Sequence, residues 1–142
     1  MAQVRLGVVA VVLKPGSSQA SFLVIRRSQT VRSPGKFCFP GGSIEAGESE
    51  EEAVVREFWE ELGARITPQR RLWQSLTITN VRLAWWLVEM LPDQAITPNP
   101  LEVESYRWLT SDEALALPDL LASNRDFYAA WWQGDFHLPA ER

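Results

Sequence analysis

The feature that most constrains this chain is the stretch from Gly42 to Ala64, GSIEAGESEEEAVVREFWEELGA. Eight of the chain's 18 acidic residues fall between Glu45 and Glu61, and Arg56 is the only base among them. Glu57, Glu60 and Glu61 are spaced i, i+3 and i+4, which puts three carboxylates on one side of a helix. Like charges that close destabilise a helix and push some carboxylate pKa values up. A divalent cation among them reverses that penalty, so the pattern makes physical sense around a metal. Oxygen-only ligands, with no His or Cys nearby, favour a hard ion such as Mg²⁺, with Mn²⁺ as an alternative, over zinc.

The helix itself is legible. Ser49 precedes Glu52 by three, a capping-box spacing, and acidic residues crowd the positive end of the helix dipole. Gly63 is a natural stop, so a helix is expected from Ser49 to about Leu62. Val55, Phe58, Trp59 and Leu62 form the apolar stripe expected to face the core.

Around this helix, Val4 to Leu13 and Ser21 to Arg27 read as strands joined by the turn Pro15-Gly16-Ser17-Ser18, giving a hairpin. A polar loop over Arg26 to Lys36 leads to the short apolar segment Phe37-Cys38-Phe39, which Pro40-Gly41-Gly42 ends. Arg71 to Thr79 and Val81 to Met90 read as antiparallel strands about Asn80, and Val103 to Leu109 as a further strand. Ser111 is the expected cap of a short helix through Leu117, and Ser123 to Trp132 reads as the last helix. Sheet elements with helices before and after them predict an α/β fold, an α/β/α sandwich with a mixed sheet. The 142 residues suit one domain, residues 1–142, with a substantial core.

The stretch also reads G-x5-E-x7-R-E-U-x-E-E-x-G-U, with U a bulky apolar residue, on Gly42, Glu48, Arg56, Glu57, Phe58, Glu60, Glu61, Gly63 and Ala64. This resembles the signature of the Nudix hydrolases. The departures are mild, an aromatic Phe58 and a small Ala64 where the family usually has Ile, Leu or Val. The resemblance implies the same sandwich fold and a Mg²⁺-dependent pyrophosphohydrolase, in which Glu57, Glu60 and Glu61 bind the metal. By the same resemblance Glu48 is a further, weaker ligand candidate, directly or through water. Either Glu102 or Glu104 matches a region where many relatives carry an acidic residue that reaches the metal or activates water, with Glu102 preferred. Glu60 or Glu61 is the first candidate for the general base, and Glu102 the outside one.

Arg56 has Glu52 and Glu60 four residues to either side, and is expected to orient the glutamates rather than touch substrate. Gly41 and Gly42 let the backbone approach a phosphate and offer N–H groups to it, although a glycine pair is also an ordinary turn. Arg27 and Arg32, with Arg26 and Lys36, flank the loop as candidates for substrate phosphates, or as solubilising charges. Trp85 and Trp86 point to opposite faces of a strand, and one of them, Trp86 in our assignment, could stack on a nucleobase. Glu45 is expected to be a solvated charge, Cys38 a small buried residue, and His137 a bystander.

Substrate markers are few. The Ser-Gln-Pro-Trp-type motif of NADH pyrophosphatases is absent, as is the proline that ADP-sugar hydrolases place after the box. The tyrosine of dinucleoside polyphosphate hydrolases is replaced around Arg82. A (deoxy)nucleoside triphosphate or related small nucleotide remains by exclusion. Arg27-Ser28-x3-Arg32-x2-Gly35-x3-Phe39-Pro40-Gly41-Gly42 is similar to the upstream motif of coenzyme A pyrophosphatases, one residue short, so coenzyme A is the alternative substrate. A non-catalytic nucleotide-sensing domain of the same fold is the alternative of another class.

A net charge near −4 and the lack of a basic run argue against a nucleic-acid polymer as partner. A single cysteine allows no internal disulfide. No secretion signal is recognisable, and no apolar run approaches the roughly 20 residues needed to cross a bilayer. A cytoplasmic monomer or homodimer, with no membrane partner, is the expectation.

Overall fold

The computed structural model describes residues 3–142. In chain order it comprises β1 (Arg5–Val12), β2 (Ser21–Arg27), β3 (Phe37–Cys38), β4 (Gly41–Ser43), α1 (Glu50–Leu62), β5 (Ile66–Leu76), β6 (Val81–Met90), β7 (Val103–Thr110), α2 (Ser111–Leu115) and α3 (Ala122–Gln133). One sheet has the order β4-β1-β6-β5 and the other β3-β2-β7. In the first, β1 and β6 are parallel and the remaining pairs antiparallel, so it is mixed as expected.

The expected β1–β2 hairpin is corrected. The two strands share the Leu13–Phe22 bridge and the Lys14 N–H to Ser21 carbonyl bond, and then part into different sheets. The reason is that β4 and β6 already occupy both edges of β1.

Both faces of β1 and β2 are buried over most of their length, which is why they read as nearly continuous apolar runs. Val8, Ala10, Val12, Leu23 and Ile25 pack with Ala53, Val54, Phe58 and Leu62 of α1. Val9, Val11, Phe22 and Val24 pack instead with Phe127, Tyr128 and Trp131 of α3. Helices therefore cover opposite faces, giving the α/β/α arrangement.

Ser49 caps α1 in a full capping box with Glu52, and Gly63 ends it in the left-handed conformation, φ 62°. The apolar stripe is rotated from the expected one. Val54 is fully buried and Val55 only partly, while Trp59 is 48% exposed, with the Arg65 guanidinium 4.7 Å from its ring. The rotation brings Glu61 to the inner face beside β4 and leaves Trp59 outside. In α2 the cap is Thr110 rather than Ser111, because Glu113 stands three residues after Thr110 and completes the reciprocal bonds.

The α3 face is an aromatic cluster, with Phe127 stacked on Trp85 at 4.9 Å and Phe22 edge-on to Tyr128 at 5.3 Å. Trp85 satisfies its indole N–H on Ser75 Oγ at 2.9 Å. The buried Tyr128 hydroxyl has no partner among the described residues. An unpaired buried hydroxyl carries a desolvation cost of about 1–3 kcal/mol. Tyr128→Phe is therefore expected to leave stability unchanged or raise it by about 1 kcal/mol in urea unfolding. A loss above about 1 kcal/mol would show that the hydroxyl is satisfied.

Candidate active site

β4 is wedged between β1 and α1. Gly41 and Gly42 pair with Val9 and Val8, close enough that side chains have no room. A Cβ on Gly41 would lie 2.2 Å from the Val8 carbonyl oxygen, and one on Gly42 would lie 2.3 Å from the Glu57 carboxyl carbon. The space left open at Gly42 is thus filled by a carboxylate of the acidic helix.

Glu61 is 6% exposed, and its Oε1 accepts the Gly41 N–H at 2.9 Å. Burial above all, then the Glu57 charge, hold its carboxyl well above the usual range, and Glu102 pushes the same way. Glu57 is raised as well, chiefly by burial, against the opposing pull of Arg56.

Arg56 is the hub of the acidic face. Its Nε and Nη2 donate to the two Glu48 oxygens at 2.7 and 2.9 Å, and Nη2 also donates to the Ser43 carbonyl at 2.9 Å. Its Nη1 donates to Glu57 Oε1 at 2.9 Å and to Glu60 Oε2 at 3.2 Å. Glu45 stands 3.6 Å away with a largely exposed side chain. The geometry suits an orienting role, but the expected partner Glu52 is bound to the Ser49 N–H instead. Glu48 has both oxygens on Arg56, whose hydrogen bonds take its carboxyl down to about 2. It stands as a partner of Arg56 rather than as an open ligand.

Among the described residues, no three His, Cys, Asp or Glu side chains form a ready-made metal centre, and Arg56 bonds to both Glu57 and Glu60. The donor chemistry nevertheless suits a hard divalent ion. All candidate ligands are oxygen, and Glu57 and Glu61 are two close, desolvated carboxylates, the latter raised by the charge of the former.

Of the two downstream acids, Glu104 lies 3.2 Å from Arg26, while the charge of Glu102 bears on both Glu57 and Glu61. The cations divide similarly. Arg26 is taken by Glu104, and Lys36 lies 3.5 Å from Asp119. Arg27 and Arg32 line a cleft of about 420 Å³ with Phe39, Gly41, Gly42 and Asn124. Arg27 Nε donates to the Arg32 carbonyl and Nη1 reaches Cys38 Sγ at 3.8 Å. Burial pushes the Cys38 thiol up to about 11, which leaves it inert as a nucleophile.

Trp86, the residue offered for stacking, is engaged away from the cleft. Its indole N–H donates to Glu50 Oε1 at 2.8 Å, and Arg71 donates to both Glu50 oxygens. Trp86 therefore ties the first turn of α1 to the sheet and does not line the cleft.

Asn124 is a cleft residue that sequence reasoning missed. It is 1% exposed, its Oδ1 accepts the Phe39 N–H at 3.3 Å, and its Nδ2 has no partner among the described residues. Its one sequence signal was a polar residue three and four positions before Phe127 and Tyr128, on the apolar face of the helix. A larger cleft of about 1090 Å³ lies at the far end of β1, near Lys14, Met90 and Trp108, and holds none of the acidic residues of α1.

Stability in the absence of metal should report on these carboxylates. A carboxyl raised in the folded state, as at Glu61, contributes stability present below the ordinary 4.5 and lost as pH rises through its folded value. Glu48, lowered to about 2, contributes stability present above 4.5 and lost as pH falls toward 2. The melting temperature in EDTA is thus expected to decline as pH is raised from about 5. A Glu61→Gln protein should show a flatter profile, and an identical slope in both proteins would refute the assignment.

The NUDIX domain profile matches residues 4–131. Over 71 residues the chain is 42% identical to the 8-oxo-dGTP diphosphatase of Escherichia coli K12, covering 46% of this chain and 54% of that protein. It is 33% identical over 135 residues to the human m7GpppN-mRNA hydrolase NUDT17, covering 80% of this chain and 40% of that one. The chain thus spans about half the length of these relatives. Among solved structures, a MutT protein from Methanosarcina mazei Go1 superposes with a TM-score of 0.77 at 26% identity, over 93% of this chain and 95% of the other. A Caenorhabditis elegans Ap4A hydrolase gives 0.69 at 19% identity, over 89% and 98%, a likeness of fold alone. The domain match spans nearly the whole chain and includes every box residue assembled around Arg56, so this chain belongs to the Nudix family.

Proposed function

We propose that the chain is a Mg²⁺-dependent pyrophosphohydrolase that cleaves a nucleoside diphosphate linked to another group, releasing a nucleoside monophosphate. The observation that carries this reading is the junction at Gly41 and Gly42. One side of it meets the buried carboxylates of Glu57 and Glu61, and the other lines the cleft with Arg27, Arg32 and Asn124. Phosphates and a base would therefore find separate, adjoining chemistry.

Glu57, Glu60 and Glu61, with Glu102 close by, would hold Mg²⁺ or Mn²⁺, which when bound supplies charge neutralisation on the phosphoryl oxygens. Arg56 holds Glu48, Glu57 and Glu60 in place, and Arg27 and Arg32 offer cations to the phosphates. Glu60 or Glu61 is the first candidate for the general base, and Glu102 the outside one. The unpaired Nδ2 of Asn124 offers a donor to an acceptor on a base edge.

A (deoxy)nucleoside triphosphate is the favoured substrate, and the partial likeness to an 8-oxo-dGTP diphosphatase supports it. No helix among the described residues is long and apolar enough to cross a membrane, and we place the protein in the cytoplasm. The test is product formation with Mg²⁺ across canonical and oxidised dNTPs, coenzyme A, NADH, ADP-ribose and diadenosine polyphosphates. A parallel Glu60→Gln protein controls for contaminating phosphatase. Turnover of a triphosphate, lost in the variant, supports the reading. Coenzyme A as sole substrate moves the protein to that branch, and silence on all with Mn²⁺ bound favours a non-catalytic nucleotide-sensing domain.

A further inference from the structure

We propose that Asn99 is a positioning residue that fixes Glu102 against the carboxylates of α1. The proposal rests on the hydrolase reading above. The last turn of a helix leaves carbonyls without intrahelical partners. In α1 the Glu61 carbonyl accepts the Asn99 N–H at 2.8 Å, and the Glu60 carbonyl accepts Asn99 Nδ2 at 3.3 Å. These are the backbone groups of two of the three box carboxylates.

Asn99 turns its other two polar groups to the chain that follows. Its carbonyl accepts the N–H groups of Glu102 at 2.9 Å and Val103 at 2.7 Å, and its Oδ1 accepts the Leu101 N–H at 3.2 Å. Every polar group of the residue is thus committed, two to the helix end and two to the turn that carries Glu102. The turn is also gripped from the opposite side. The Ser28 N–H donates to the Glu102 carbonyl at 3.1 Å, and Ser28 Oγ donates to the Leu101 carbonyl at 2.8 Å.

Asn99 is not needed to stop the helix. Gly63 already does that, its N–H on the Trp59 carbonyl at 2.9 Å, and Thr97 N–H separately satisfies Leu62. What the Asn99 side chain adds is a fixed link between the helix end and residue 102. The influence of Glu102 on both Glu57 and Glu61 agrees with that placement.

The experiment is a double-mutant cycle of Asn99→Ala and Glu102→Gln, read by kcat/KM and by Mn²⁺ affinity from electron paramagnetic resonance. Loss of a residue that orients a ligand typically costs about 10–100-fold in activity or metal affinity. Asn99→Ala is expected to lower both readouts within that range, and to have no further effect once Glu102 is Gln. Glu104→Gln, whose partner is Arg26, is the unchanged control. Additive losses in the cycle, or a wild-type kcat/KM and Mn²⁺ affinity in Asn99→Ala, would overturn the proposal.

If Asn99→Ala does not fold, Asn99→Ser keeps a short polar side chain but lacks the reach to the Glu60 carbonyl, and the same criteria apply. If the wild-type chain turns over none of the nucleotides, the hydrolase reading fails, and the Mn²⁺ arm of the cycle still decides whether Asn99 acts through Glu102. Absence of Mn²⁺ binding as well would overturn both.

Discussion

Glu61→Gln is expected to cut kcat by about 10²–10⁴-fold, while raising the melting temperature of the metal-free protein. The two effects share one cause. Glu61 is 6% exposed, and the N–H of Gly41 is the one hydrogen bond of its carboxylate among the described residues. A glutamine keeps the shape and the acceptor, so the β4–α1 junction survives. It removes the charge that burial and Glu57 both oppose, so folding without metal becomes easier. It also removes the charge that a cation and an attacking water would need. Steady-state kinetics at saturating Mg²⁺ and thermal unfolding in EDTA measure the two quantities. An active variant, or one that melts lower than wild type in EDTA, would mean that Glu61 is a structural acid paired with something other than a metal site. A stabilised but inactive protein is the pattern expected where a site holds charges that folding alone would not choose.

Most of the scaffold was legible because its signals are local. Ser49 with Glu52, Gly63 after Leu62, and the apolar runs of β1 and β2 depend on neighbours within a few residues. What failed depended on contacts across the fold. The β1–β2 hairpin could not be excluded without knowing that β4 and β6 flank β1. The register of the α1 stripe was misplaced because Glu61 occupies an inner position that polarity argues against. Its burial makes sense only once the Gly41 N–H is seen beside it. Trp86 looked like a stacking residue because Glu50 and Arg71, its partners, are 36 and 15 positions away. The placing of Glu57, Glu60 and Glu61 on one helix came from spacing, since the helix makes spacing into geometry, whereas Glu48 and Glu102 came from the family resemblance. Asn124 and Asn99 were not, because each acts through hydrogen bonds to segments distant in sequence.

The adjacent glycines should separate in their effects more sharply than any other pair of neighbours. Gly42→Ala places its Cβ against the Glu57 carboxyl, at 2.3 Å from Cδ and Oε2. That is the far end of a flexible side chain, which can swing away at little cost to folding. The displaced group is a site carboxylate, and a misplacement of about 1 Å in such a group can cost about 10²-fold in rate. Gly41→Ala instead meets backbone, the Val8 carbonyl oxygen at 2.2 Å and Val9 Cα at 3.0 Å. Those atoms belong to the central strand β1, so β4 itself must move, with a loss of about 1–3 kcal/mol expected for overpacking. Moving β4 also withdraws the N–H that Glu61 accepts, so activity falls together with stability. Urea midpoints and kcat/KM for the two proteins give the test. Gly42→Ala should unfold near the wild-type midpoint yet turn over about 10²-fold more slowly, and Gly41→Ala should be impaired in both. A Gly42→Ala protein with wild-type kinetics would show that the Glu57 carboxyl is free to leave its position, and would remove Glu57 from the set of residues that must be held in place for the reaction.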